Sequence, residues 1–149
     1  MEQIPAAKRL DSPYAIVIRA VRGPADLAVV IDHDLEGLSL SIWNGKTKEL
    51  RKSSFDQVTY ATTITPDGQY ILDLDDPTGS ELGHLHATPV AGGASRDLTP
   101  GHGSYTVRGI DCAMDGQTVL VTAGDETGFY AVLSNVENPN DARVIFRSN

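Results

Sequence analysis

ITPDGQYILDLDD, residues Ile64 to Asp76, returns in altered form 48 residues further on as CAMDGQTVLVTAGD, Cys112 to Asp125. Asp67-Gly68-Gln69 matches Asp115-Gly116-Gln117, and each triplet precedes an apolar run. Pro66-Asp67-Gly68 has the chemistry of a tight turn. Pro presets its dihedral angle, Asp can accept bonds from the following backbone, and Gly supplies a positive φ. After the turn, Tyr70, Leu72 and Leu74 alternate with Ile71 and Asp73, the period of a strand.

Further marks repeat at the same distance. Gly92-Gly93 lies 48 residues after Asn44-Gly45, and Leu98 lies midway between Leu50 and Phe146 at that spacing. A fixed internal period is the sign of a repeat architecture. The middle unit predicts strands at Val58–Thr65, Tyr70–Leu74, His84–Val90 and Arg96–Thr99, with Ala91-Gly92-Gly93 turning the last hairpin. The third predicts Thr106–Ala113, Thr118–Ala123, Phe129–Val136 and Arg143–Arg147, with a longer last turn at Glu137–Asp141. The first is less regular: Tyr14–Val21, Leu27–Asp32, Leu38–Trp43 and Glu49–Ser53, with Asn44-Gly45 as the hairpin signal. Helical patterning is confined to a turn or two at Glu2–Leu10.

The chain therefore reads as all-β. It comprises three four-stranded antiparallel meanders, at about 12–54, 57–100 and 104–148, in a single segment spanning 1–149. That size and strand count are those of a β-propeller blade, so the expected architecture is a partial β-propeller, an incomplete ring. The rival is a two-sheet sandwich of about twelve strands, which carries no fixed period. Closed rings have about four to eight blades. The missing blades are expected from the rest of a longer chain, from a second copy forming a homodimer of half rings, or from a partner protein.

Composition narrows the function classes. Hydrophobic residues make up 40% of 149, enough for a real core. The net charge of −8 repels phosphate backbones and anionic lipid, so nucleic-acid and membrane-surface roles are not expected. The only cysteine, Cys112, cannot form an internal disulfide. The first residues lack a signal peptide's clean apolar core, being broken by Arg19 and Arg22. No run approaches the roughly 20 apolar residues of a membrane span. A cytoplasmic protein is expected.

TPDGQYILDLDD…GSELGHLHATPVAGGASRDLTPG resembles the propeller blades of the prolyl oligopeptidase family of serine peptidases. The matching slots are Thr65-Pro66-Asp67-Gly68, Leu85-His86-Ala87-Thr88, Gly92-Gly93, Leu98-Thr99 and, in the third unit, Phe129-Tyr130-Ala131-Val132. TolB-like propellers without a peptidase domain share this blade pattern. Met114 stands where the pattern has Pro, and the first unit lacks Pro-Asp-Gly. The resemblance implies a propeller set over an α/β-hydrolase domain, restricting access so that only short peptides reach a catalytic serine. The missing hydrolase domain or remaining blades would then be its partners, and a peptide the parent's substrate. The alternative is a non-enzymatic TolB-like propeller for protein–protein interaction.

No catalytic, cofactor-binding or metal-binding residue is assigned in this chain, and no cofactor is expected. A hydrolase nucleophile needs G-x-S-x-G; Gly93-Ala94-Ser95-Arg96-Asp97 and Gly103-Ser104-Tyr105 both fail it. His84 and His86, two apart on a strand, face one side and could share a metal, but no third ligand is evident, and His86 fills an aromatic packing slot. Asp73, Asp75, Asp76 and Glu81 around Gly79 lack calcium-loop spacing and read as a solvated loop. Asp32, Asp34 and Glu36, and Asp125 and Glu126, sit in the equivalent loops, which makes one rim acidic. His102 lies in a flexible Gly-flanked connection. Trp43 and Tyr130 read as blade-packing aromatics, and Cys112 as a buried inert thiol.

Overall fold

The computed structural model describes residues 14–21, 23–34 and 37–148, with side chains from residue 19 onward except at residue 34. The expected helical turn at Glu2–Leu10 lies outside them. Twelve strands form three separate four-stranded antiparallel sheets, each a simple meander. The first sheet is β1 (Tyr14–Val21), β2 (Leu27–Asp34), β3 (Gly37–Asn44) and β4 (Glu49–Lys52). The second is β5 (Thr63–Ile64), β6 (Tyr70–Asp75), β7 (His84–Pro89) and β8 (Arg96–Asp97). The third is β9 (Thr106–Cys112), β10 (Thr118–Asp125), β11 (Gly128–Asn135) and β12 (Arg143–Arg147), with a 3-10 turn at Pro139–Asp141.

The repeated Asp-Gly-Gln is one turn built twice. Gly68 N–H donates to Thr65 O at 2.8 Å, and Gly116 N–H to Ala113 O at 2.9 Å. The Asp67 and Asp115 carboxylates accept from Gln69 and Gln117 N–H at 3.0 and 2.8 Å. Gly68 and Gly116 have φ of 77° and 71°, a region L side chains rarely adopt. In the first sheet Asp26 takes this role, with φ 53°. The three turns also sit close together. A Cβ on Gly23 would collide with Pro66, and one on Gly116 with the Asp67 carboxylate.

Strand alternation sorts side chains between neighbouring sheets. Ile71 joins Ile64, Val29, Ile31 and Leu40 in a core between the first and second sheets. Leu72, one residue on, joins Leu85, Ala87, Val119, Val121 and Val132 in a larger core between the second and third. The middle sheet thus buries both faces. Each fully buried Leu or Val contributes about 1.5–3 kcal/mol, so the second core holds the stronger joint. Polar ties reinforce it: Ser134 Oγ donates to Leu98 O at 2.5 Å, and Gly83 and Tyr105 exchange backbone bonds at 3.0 and 3.1 Å.

Four expectations need correction. The strand expected at Val58–Thr65 shrinks to Thr63–Ile64. Thr62 N–H turns back to Thr59 O at 3.2 Å, and Thr59 N–H bonds Thr62 Oγ1 at 2.8 Å. These local bonds compete with the ladder. The turn after β3 spans Gly45–Lys48, with Asn44 Oδ1 accepting Lys46 and Thr47 N–H at 2.9 and 3.1 Å. Asn44-Gly45 therefore opens a four-residue loop and is not itself the hairpin turn. The strand expected at Arg96–Thr99 stops at Asp97, whose Oδ1 accepts Thr99 N–H at 2.7 Å. The first sheet, expected to be least regular, has three eight-residue strands.

Candidate functional site

The first strand of each sheet lines a common trough. A cleft of about 480 Å³ is walled by Arg19, Thr59–Ala61, Asp76, Glu81 and Thr106–Ile110. A second cavity of about 530 Å³ continues along the same strands past Ala20, Ile64, Ile110 and Cys112. Arg19 and Ile110 line both, as the inner strands of a fan of sheets would.

Arg19 is the tie across the trough. Its guanidinium donates to the carbonyls of Tyr60, Ala61 and Thr62 at 3.1, 3.1 and 3.3 Å. The same short segment is gripped from the other side by Asp73. Thr59 Oγ1 and Thr62 Oγ1 donate to Asp73 Oδ1 at 2.5 and 2.8 Å. The Asp73 side chain is buried, and its Oδ2 has no hydrogen-bond partner. Burial raises its carboxyl to about 6, against the lowering effect of the two threonine hydroxyls. A turn of backbone at the trough wall is thus clamped between a cation on the first sheet and a carboxylate on the second. Tyr60, at the tip of that turn, is exposed.

The loop after β6 lines the same cleft. Asp76 Oδ1 accepts Thr78 and Ser80 N–H, both at 3.1 Å, and Oδ2 accepts Glu81 N–H at 2.5 Å. Desolvation is the largest single influence and opposes ionisation, yet the donors at Glu81, Ser80 and Thr78 together outweigh it and hold Asp76 below its ordinary range. The expected acidic group is therefore split. Asp76 organises its own loop, while Asp73 faces into the joint between the first two sheets. Asp125 repeats the Asp76 role, accepting Thr127 N–H at 2.7 Å. Glu36 and the Asp34 side chain lie outside the described residues.

The histidines do not converge. His84 Nδ1 is 2.7 Å from Asp97 Oδ2, and its ring stacks on Tyr105 with centroids 6.0 Å apart. His86 Nδ1 is 3.2 Å from Ser95 Oγ and its Nε2 is 3.7 Å from Asp75. Among the described residues no group of three or more His, Cys, Asp or Glu is placed to hold a metal ion. His102 sits in the turn after β8, its N–H on Thr99 O at 3.0 Å. Trp43 pairs with Leu50 across β3 and β4. Tyr130 is buried under the Arg147 guanidinium, 4.8 Å from its ring centroid. Cys112, expected to be buried, is only half-buried, and its thiol is pushed up to about 12 by desolvation and by Asp115, Asp67 and Asp111.

Sequence reasoning missed the Arg19–turn–Asp73 clamp. A signal was present: Asp73 interrupts the apolar run ILDL at a position where the strand is buried on both faces. Its threonine partners lie 11 and 14 residues away, however, and Arg19 lies in another sheet.

A fan of four-stranded meanders with their first strands around a trough defines a class, the β-propellers. The likeness to solved structures agrees. The chain is similar to the β-propeller domain of the Trilobed protease from Pyrococcus furiosus, a domain with an open velcro topology, at TM-score 0.57 and 14% identity. The match covers 91% of this chain and 44% of that one, so the chain spans less than half of that structure. At this identity the likeness establishes the fold, a partial β-propeller of three blades. No family model matches the chain, and no curated protein matches it. No helix among the described residues is long and apolar enough to cross a membrane.

Proposed function

We propose that the chain is the propeller segment of a cytoplasmic, prolyl-oligopeptidase-like serine hydrolase, a scaffold and gate for peptide access that carries no catalytic residue of its own. The observation that supports this reading most is the repeated blade, with its Pro-Asp-Gly turn and Gly-Gly hairpin, whose first strands line the trough. A trough about 480 Å³ in its upper part admits an extended peptide of a few residues and excludes a folded domain. The clamp on the turn at Thr59–Thr62 keeps one wall of that passage rigid.

The test uses the protein from its own cells, captured with an antibody raised against this chain and treated with a fluorophosphonate probe. The proposal expects a labelled polypeptide well above 15.9 kDa that contains the peptides of this sequence and cleaves short peptides but not folded proteins. Recovery of the sequence only in unlabelled species sinks it.

A further inference from the structure

Five side-chain hydrogen bonds hold the turn at Thr59–Thr62 from outside it, three from Arg19 and two to Asp73. The arrangement is unfavourable in one respect, since Asp73 Oδ2 is buried without a hydrogen-bond partner. Within the turn, Thr59 and Thr62 are spent on the clamp and Ala61 is partly buried. Tyr60 alone is exposed, and it lines the cleft. The clamp therefore fixes the backbone beneath one exposed aromatic ring. A held tyrosine offers a large amphipathic contact with few torsions left to order on binding.

Arg108 lines the same cleft from the third sheet. Gly109 pairs with Thr122 and Val107 with Ala123, which leaves Arg108 between them as the extra residue of a β-bulge. Bulges re-aim side chains that a regular ladder directs elsewhere. The guanidinium lies 6.0 Å from the Phe129 ring centroid, and it enters no ion pair among the described residues. Its N–H donors stand in a fork that fits a carboxylate. The cleft's other cation, Arg19, is committed to the turn, and the Asp76 carboxylate to its own loop. Glu81 is exposed on the same cleft and is also outside any ion pair among the described residues. Its charge makes a ligand with one carboxylate a better fit than a polyanion.

We propose that Tyr60 and Arg108 form a recognition pair for the C-terminal end of a short peptide, with the terminal carboxylate on the Arg108 guanidinium and an aromatic terminal side chain against the Tyr60 ring. This rests on the reading of the cleft as a peptide passage, and it names the end of the peptide that is read. Both residues position the peptide, and neither takes part in bond cleavage.

The test is a two-dimensional NMR titration of the isotope-labelled full chain with acetyl-Gly-Ser-Phe as the free acid, the same peptide as its amide, and acetyl-Gly-Ser-Ala as the free acid. The Phe acid is expected to bind roughly tenfold more tightly than its amide, through one charge-assisted contact. It is expected to bind about fivefold more tightly than the Ala acid, through one ring contact. Arg108→Gln erases the first preference and spares the second, and Tyr60→Ala does the reverse. Both side chains are exposed, so each variant keeps the far-UV spectrum of the parent chain. No binding at millimolar peptide, equal binding of acid and amide, or preferences that survive the substitutions overturn the proposal. The fluorophosphonate experiment fails separately. An unlabelled parent with acid-selective binding intact removes the hydrolase and leaves the recognition pair, and a labelled parent without that binding does the opposite.

Discussion

Asp73→Asn isolates the energetics of the clamp. The carboxyl is 4% exposed, and its Oδ1 takes both threonine hydroxyls while its Oδ2 has no partner. Burial lifts it from 3.8 to about 6. The folded chain therefore holds this proton more tightly than the unfolded chain does. The group's stabilisation is complete below the unfolded value and is lost as pH rises through about 6. Between pH 5 and pH 7 the loss amounts to about 1.4 kcal/mol. Asn cannot titrate, so the stability of wild type minus that of the variant falls by this amount over that interval. Urea unfolding at pH 5, 6 and 7, followed by far-UV ellipticity and Trp43 fluorescence, measures it. Carboxylates held low in the fold, such as Asp76, Asp115 and Glu137, act in the opposite sense. They are common to both proteins and cancel in the difference. A difference independent of pH refutes the claim that a buried, neutralisable carboxyl sits at this joint.

Two further outcomes follow from the second joint and from the trough. Tyr105→Phe removes a fully buried hydroxyl that accepts Leu85 N–H at 2.8 Å and meets Thr99 Oγ1 at 2.8 Å. The stranded N–H costs about 1–3 kcal/mol, and a loss below about 0.5 kcal/mol in urea unfolding contradicts the network. Cys112, its thiol raised to about 12, reacts with iodoacetamide at pH 8 on the order of a hundredfold or more slowly in the native than in the urea-unfolded chain. Comparable rates contradict its half-buried placement beside Asp115, Asp67 and Asp111.

Much of the blade was legible because it is local. The turn at Thr65–Gly68 closes on itself, and β6 alternates within six residues. The ends of β1 and β12 were readable to the residue, since Gly23-Pro24 stops one strand and apolar runs define both. The segment 58–62 was misread for an equally physical reason. Val58, Thr59 and Thr62 favour strands by propensity, but the threonine hydroxyls prefer Asp73 and the turn's own backbone. The pair His84 and His86 was visible, and its division between Asp97 and Ser95 was not. That division depends on acceptors delivered by β8 and the loop before it.

Period, turn chemistry and alternation reside in neighbouring residues, so the chain alone determined that it makes three meanders of one kind, and which residues of each strand are apolar. Which side of the middle sheet meets which neighbour is another matter, as is the capture of the turn at Thr59–Thr62 by Arg19 and Asp73. These depend on groups brought together from separate sheets, where burial turns an ordinary carboxylate into a titratable clamp, and they were decided only by the tertiary structure.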